Sequence, residues 1–323
     1  ENMVKFPGWT LPGVIGAGAA QTMMNLHGTL PGKRVLMLGS GNVGLVVSFQ
    51  LMQAGCEVVA VADAAPRVGG YGVHAAKVAR CGVPFYLSHT IISADGEDCV
   101  TGVTIGEVDK NWQIIPGTEK HFDVDTICLA VGLSPMSKLC DMAGCAMEDN
   151  PAKAGFVPAV NEYGETSVPG IYAAGDCCEA IDIQCGKHRN IGVWFNANEQ
   201  GTVAGANMAG IPMEFDANVL VNLAHYLDYD FISIGDVSSC EPEDEVYEYE
   251  DDQYYIRGVK KRGGDLKCVN VINSADSNGI LKNLFIKMFE NEDAGLDIKS
   301  VCYLQWKGFP DSFINFLGGM TLD

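Results

Sequence analysis

Apolar positions along the chain change period several times, and the changes mark its elements. Arg34-Val35-Leu36-Met37-Leu38 is a short apolar run leading into glycines, Val43–Met52 is a longer one that stops before Gly55, and Glu57–Ala62 is a β-branched run. This order reads as strand, turn, helix, strand. Upstream, the turn dipeptides Pro7-Gly8, Pro12-Gly13 and Pro31-Gly32 bracket Val14–Leu26, whose small and apolar residues predict one helix. Downstream, His74–Cys81 fits a second helix and Pro84–Ile92 a third strand. Val100–Phe122 alternates apolar and polar residues around Asp-Gly, Asp-Lys-Asn and Pro-Gly turns, as a small β-meander does, and Asp125–Val131 reads as a fully buried strand.

After Gly132-Leu133-Ser134-Pro135 the composition loosens. Gly170–Ala174 predicts another apolar strand, ending in Gly175-Asp176, and a helical stretch runs from about Val193 to Met208 before a boundary near Ile211-Pro212. Tyr254–Val259 and Leu266–Ile272 look like a hairpin joined by Gly263-Gly264-Asp265, and Gly279–Glu290 like a helix. The last part reads as a small α+β domain.

Composition narrows the class. A chain of 323 residues with 47% hydrophobic and 19% charged content suits about two globular domains. Acids outnumber bases 41 to 21, and the net charge of −20 repels nucleic acid and anionic membrane surfaces. No apolar run reaches the roughly 18 to 20 residues of a membrane-spanning helix, so neither nucleic acid nor a membrane is an expected partner. Twelve scattered cysteines without a Cys-x-x-Cys pair suggest a reducing, cytoplasmic setting and no metal ribbon or dithiol motif. The histidines are isolated, and no metal is expected. No Lys or Arg occurs between Arg189 and Arg257, whereas Glu241–Asp252 packs eight acids into twelve positions. That run predicts a solvated loop, or a docking surface for a basic partner.

Gly39-Ser40-Gly41-Asn42-Val43-Gly44 is a G-x-G-x-x-G between a predicted strand and a predicted helix, the context that makes the pattern informative. Gly39 would allow the tight turn, Gly41 the approach of a pyrophosphate, and Gly44 close packing of helix on strand. Nineteen residues past Gly44, Asp63 ends the second strand, where a carboxylate accepts from ribose hydroxyls and repels a 2′-phosphate. This favours NAD(H) over its phosphorylated form, with Arg67 near enough to reach a phosphate. Gly13-Val14-Ile15-Gly16-Ala17-Gly18 has no predicted strand before it and is read as helix packing, not as a nucleotide loop. A buried strand ending in Gly175-Asp176 would place a carboxylate at the carboxyl end of a sheet, but Asp176 reads equally well as a helix cap. Cys177 and Cys178, with Cys185 further on, read as small-residue packing, and His188 and Arg189 as a solvated loop.

The segment Thr166–Asp176 resembles the second flavin motif of the flavin-dependent pyridine nucleotide-disulfide oxidoreductase superfamily. Phe6–Val14 with Gly18-Ala19-Ala20-Gln21 resembles the linker before the NAD domain in FAD-containing subunits of multisubunit amine and imino-acid dehydrogenases. Cys128–Pro135 is similar to the strand and turn by which such chains return to the FAD domain, and Tyr254–Phe289 resembles the interface domain of rubredoxin reductase and nitrite reductase-type members. The resemblance implies an α/β fold: a Rossmann-like NAD domain inserted in an incomplete FAD domain, plus the small C-terminal α+β domain. It implies a linker at 1–14, an NAD domain at 15–132, the rear of an FAD domain at 133–212 and an interface domain at 213–323. The cofactors implied are NAD(H) and FAD, with Val131, Gly132, Gly175 and Asp176 joining Gly39–Gly44, Asp63 and Arg67 as cofactor-binding residues.

The family's first glycine fingerprint, which would bind the ADP half of FAD, is absent, so a missing N-terminal FAD half is expected as a partner. The other expected partners are an electron-transfer protein or dehydrogenase subunit, and a second copy in a homo-oligomer. Hydride transfer between nicotinamide and flavin rests on ring positioning, and no catalytic side chain is assigned. The expected function is an FAD-dependent NAD(H) oxidoreductase. Its rival is a non-enzymatic NAD(H)-binding module or assembly subunit of a multisubunit dehydrogenase.

Overall fold

The computed structural model describes residues 1–150, 155–215, 219–226, 228–236, 240–262, 264, 266–274, 277–290 and 296–318. They divide into two units, Glu1–Ser134 and Pro135–Asp323. In chain order the first contains β1 (Val14–Gly16), α1 (Ala17–His27), β2 (Arg34–Leu38), α2 (Asn42–Gln53), β3 (Glu57–Asp63), α3 (Gly72–Arg80), β4 (Phe85–Leu87), β5 (His89–Asp95), β6 (Gly102–Glu107), β7 (Lys120–Phe122) and β8 (Thr126–Leu129). A parallel sheet has the order β1-β8-β2-β3-β4, and β5-β6-β7 form an antiparallel sheet of their own.

Why β2 and β8 read as unbroken apolar runs follows from what covers them. Val35, Met37 and Cys128 pack with Leu45, Leu51 and Val78 of α2 and α3, whereas Leu36, Leu38, Ile127 and Leu129 pack with Phe6, Val103 and Ile105. Successive side chains on a strand point to opposite faces, so a sheet covered on both needs apolar residues at every position. Helices cover one face; the meander and the N-terminal segment cover the other.

Three expectations for this unit change. Val14–Leu26 is not one helix: Val14–Gly16 pairs in parallel with Ile127–Leu129, and the helix begins at Ala17. The expected linker at 1–14 packs into the unit, with Ala94 donating to Pro7 O and Val100 to Pro12 O. Pro84–Ile92 is two strands in different sheets, because Ser88 takes a left-handed backbone (φ 55°) that turns the chain between them.

The second unit contains α4 (Lys138–Met142), β9 (Met147–Asn150), β10 (Gly155–Pro158), a single 3-10 turn (Gly175–Cys177), β11 (Ala180–Asp182), β12 (Lys187–Arg189), α5 (Trp194–Met208), β13 (Val221–Tyr226), β14 (Tyr229–Gly235), β15 (Glu245–Glu250), β16 (Tyr255–Lys260), β17 (Leu266–Ile272), α6 (Asn278–Glu290), α7 (Ile298–Trp306) and α8 (Asp311–Phe316). Two hairpins, β9-β10 and β11-β12, precede an antiparallel sheet of order β13-β14-β17-β16-β15. α6, α7 and α8 cover one face of that sheet, packing Leu284, Phe285, Leu304 and Phe313 onto Ile232, Ile234, Ile256 and Val271. The hairpin predicted around Tyr254–Ile272 is β16-β17; Gly263 and Asp265 of its expected turn lie outside the described residues.

Gly170–Ala174 is not a strand in a sheet. Its hydrogen bonds are local, from Thr166 N–H to Ile171 O and from Ala173 N–H to Gly164 O, so the segment folds back on residues just before it. The acidic run 241–252 is not all loop either. β15 lies at the sheet edge with Tyr247 and Tyr249 against the core while Glu245, Glu248 and Glu250 face solvent. Alternating acids on an edge strand discourage pairing with another chain.

One ion pair in this unit is nearly closed off from water: Lys267 Nζ lies 2.6 Å from Asp244 Oδ2, with side chains 10% and 4% exposed. The Glu241 backbone N–H and the Lys267 ammonium hold the Asp244 carboxyl below its ordinary pKa. A depressed carboxyl contributes stability above the unfolded value, about pH 4, and loses it as pH falls through the folded one. Asp244→Asn should therefore destabilise the protein at neutral pH, and its deficit against wild type should shrink on acidification. Urea melts followed by circular dichroism across that range check this; a pH-independent deficit would refute it.

Candidate functional site

The parallel sheet changes direction at β2: the chain runs outward through β3 and β4 on one side, and β8 and β1 lie on the other. Ligands of open α/β sheets bind outside the carboxyl ends of the strands at such a point. Gly39 follows β2 here and adopts φ 110°. A Cβ on it would lie 2.3 Å from Ala130 O, and one on Gly44 2.1 Å from Gly39 O, so backbone fills both places. Gly41 differs. A Cβ there would meet nothing within 4 Å, and its backbone (φ −67°, ψ 172°) suits any residue. The open space at Gly41 lies at the start of α2, where no side chain caps the helix. Its first N–H groups and the positive end of its dipole face outward, as an anion requires.

Asp63 is wired into this loop. Its Oδ2 accepts from both the N–H and the hydroxyl of Ser40 at 2.6 Å, and its Oδ1 accepts from Ala65 N–H at 2.8 Å. Ser40 is fully buried, so its side chain positions the acid and presents no face to a ligand. A carboxylate has about four acceptor positions, which leaves half-buried Asp63 capacity for a hydroxyl donor. Gly70 N–H donates to Ser40 O, Gly69 N–H to Ser40 Oγ and Tyr71 N–H to Asn42 Oδ1. Asn42 thus ties residues 69–71 across the start of α2. In the sequence only the Gly69-Gly70 pair, a turn signal, marks the place of this clasp. Val43 is half-exposed on the helix, and Arg67 is exposed on the loop after β3.

Val131 and Gly132 continue from β8 beside this loop. Gly132 is left-handed (φ 107°), Asn2 N–H donates to Gly132 O at 2.9 Å, and Ser134 Oγ donates to Asn2 Oδ1 at 2.6 Å.

The remaining pair lies in the second unit. Gly175, also left-handed (φ 76°), donates its N–H to Gln200 Oε1 of α5, which fixes the 3-10 turn against that helix. Asn190 Nδ2 donates to Asp176 O and Cys178 O. The Asp176 carboxylate is exposed, with no hydrogen-bond partner among the described residues. A Cβ on Gly192 would stand 2.9 Å from Asp176 Oδ2, so glycine there leaves the carboxylate room. Arg189 and His188 are solvent-exposed but lie on β12, not in a loop: Arg189 pairs with buried Asp182 at 2.8 Å across β11-β12, and His188 Nε2 lies 3.2 Å from Val160 O. Both brace the hairpin. Among the described residues no group of His, Cys, Asp and Glu is arranged to hold a metal, and no helix is long and apolar enough to cross a membrane.

A parallel α/β sheet with a glycine loop opening a helix at its switch point defines the first unit as a dinucleotide-binding fold. The family model of the pyridine nucleotide-disulphide oxidoreductases matches residues 7–201, well over half of the chain, and the chain belongs to that family. It is 30% identical to an NADH oxidase of Methanocaldococcus jannaschii over 190 residues, 57% of this chain and 38% of that one. It is 28% identical to an opine oxidase subunit of Agrobacterium tumefaciens over 199 residues, 54% of this chain and 37% of that one. Among solved structures, a NAD-dependent persulfide reductase from A. fulgidus superposes with TM-score 0.66 at 19% identity, covering 95% of this chain and 62% of its own, a likeness of fold. The chain thus spans about two fifths of the length of these curated relatives.

The glycines differ in what a side chain would meet. Gly44→Ala should destabilise the first unit by about 1–3 kcal/mol, since its methyl has only backbone to displace, while Gly41→Ala should melt with wild type. Thermal denaturation of both variants decides this, and equal loss in the two would contradict the geometry.

Proposed function

We propose that this chain supplies the NAD(H)-binding domain and part of the FAD-binding domain of a flavin-dependent oxidoreductase. The enzyme passes hydride equivalents between NAD(H) and flavin, and on to or from a partner protein or subunit. The carrying observation is the loop at 39–44, closed by backbone at Gly39 and Gly44 and open only at Gly41, where uncapped N–H groups face outward. In this reading the N–H groups of 42–44 hold the pyrophosphate. Asp63 accepts from the adenosine ribose, and a 2′-phosphate is repelled by the same carboxylate. Val131 and Gly132 border the dinucleotide beside Gly39, and Arg67 lies at its outer rim.

Residues 15–132 form the NAD domain, 133–212 the rear of the FAD domain, and 213–323 the interface domain. Asp176 fits a flavin's polyol chain: the carboxylate is exposed and uncommitted, and Gly175 and Gly192 keep side chains away from it. Bound flavin supplies reversible two-electron chemistry, and the protein's part is to hold both rings in place and exclude water. Family membership and the names of the relatives, an NADH oxidase and a subunit of an opine oxidase, support this reading. All twelve cysteines are unpaired, which suits the reducing cytoplasm.

Titration with NADH, read by nicotinamide fluorescence, should show saturable binding stronger than that of NADPH. Asp63→Asn removes a charged acceptor and should weaken NADH about tenfold or more, because hydrogen bonds to charged groups contribute about 1.5–3 kcal/mol. Gly41→Ala should weaken it without loss of stability. Unchanged NADH affinity in both variants would defeat the assignment. Reconstitution with FAD should give a yellow protein that NADH bleaches, and Asp176→Ala should retain less flavin; a colourless protein that still binds NADH would identify a nucleotide-binding module.

A further inference from the structure

Four thiols meet in the second unit, and they are not the set that adjacency in sequence suggests. Cys178 belongs to a small apolar cluster with Val160, Ala173 and Ala180, and Cys140 and Cys177 pack against it. Cys145 joins from the turn that ends α4, its N–H donating to Cys140 O and its thiol to Thr166 Oγ1 at 3.3 Å. Cys140 lies near enough to Cys145 and Cys177 for both to raise its own thiol. Exposure divides the four: Cys145 and Cys178 are buried, whereas Cys140 and Cys177 are each partly open to solvent. Cys185, seven residues beyond Cys178, is exposed in the turn between β11 and β12.

We propose that Cys140 and Cys177 form a peroxide-sensitive thiol pair that closes to a disulfide, tying α4 to the turn that carries Asp176. The thiolate, not the thiol, reacts with peroxides. A hydrogen bond with the Cys178 thiol brings Cys177 down to about 6, outweighing its burial and the nearby Asp176 charge. Cys178 is driven upward by the same bond and by burial, and Cys140 is raised by burial. Cys177 is thus lowered and Cys140 raised, and both, partly open to solvent, pack on the same small cluster. In the first step the Cys177 sulfur attacks a hydroperoxide oxygen: an S–O bond forms, the O–O bond breaks, and the departing alkoxide or hydroxide leaves with a proton. In the second, the Cys140 sulfur attacks the sulfenic sulfur: an S–S bond forms, the S–O bond breaks, and hydroxide departs with the Cys140 proton as water. Two thiols lose two electrons in all, and one peroxide is reduced. α4 has no fully buried residue, so little packing opposes its movement toward the turn.

The test treats the whole chain with equimolar hydrogen peroxide, alkylates remaining thiols and maps the peptides by mass spectrometry. The expected product is a Cys140–Cys177 cross-link that dithiothreitol reverses. Cys140→Ser should yield no cross-link but a sulfenic acid on Cys177 that dimedone traps; Cys177→Ser should leave Cys140 alkylatable; Cys185→Ser should behave as wild type. A Cys140–Cys145 or Cys177–Cys178 linkage, first oxidation at Cys185, or Cys140 and Cys177 both still alkylatable would each overturn the proposal. The wild-type map decides on its own if a serine variant fails to fold.

Discussion

Around Gly39 three backbone segments approach closer than any side chain would permit: the end of β2, the first turn of α2 through Gly44, and the residue after β8, Ala130. The rest of the first unit depends on that contact. Without it α2 could not start directly at the carboxyl end of β2, and its positive end would not sit at the switch point of the sheet. The contact also explains the division of labour among the three glycines. Two are there because the protein itself fills the space, and one because the protein leaves it open.

Asp63, the acid proposed to meet a ligand, has a structural part as well. A half-buried carboxylate loses hydration, and donors must replace what water gave. Ser40 supplies two and Ala65 one, each a charge-assisted bond of about 1.5–3 kcal/mol. The acid that would read the ribose therefore also shapes the loop that would cradle the phosphates. Under the proposed function, affinity and loop geometry would be coupled at this residue, whereas at Gly41 they would be separate.

Local pattern made much of this legible, and its failures share a cause. β2, α2 and β3 are visible because their neighbours in sequence are their neighbours in space, and a run buried on both faces is apolar throughout. Val14–Gly16 was hidden because a three-residue strand gains its identity from β8, more than a hundred residues away. Ser88 broke an apparent strand through one backbone angle that no periodicity records. Gly170–Ala174 has strand composition but finds only local hydrogen bonds. At the site, the glycines and Asp63 were readable from spacing. The inward turn of Ser40, the clasp by Asn42 and the gathering of Cys140 and Cys145 with Cys177 and Cys178 were not, because each depends on what folding brings together.

The chain enters and leaves the first unit at nearly the same place. Asn2 reaches Gly132 through its backbone and Ser134 through its side chain, so two hydrogen bonds join residues 130 and 132 apart in sequence. A unit whose ends meet can be set within another fold without stretching either connection, and its own closure adds little entropy cost beyond what folding already requires. The pairing of β1 with β8 strengthens the same seam from inside, since the first and last strands of the unit are hydrogen-bonded neighbours. The short strand at Val14–Gly16 therefore serves less to extend the sheet than to lock its beginning to its end. The glycine loop after β2 and the crossing segment after β8 are thereby held in one register, and any ligand bound at Gly41 would rest on that seam.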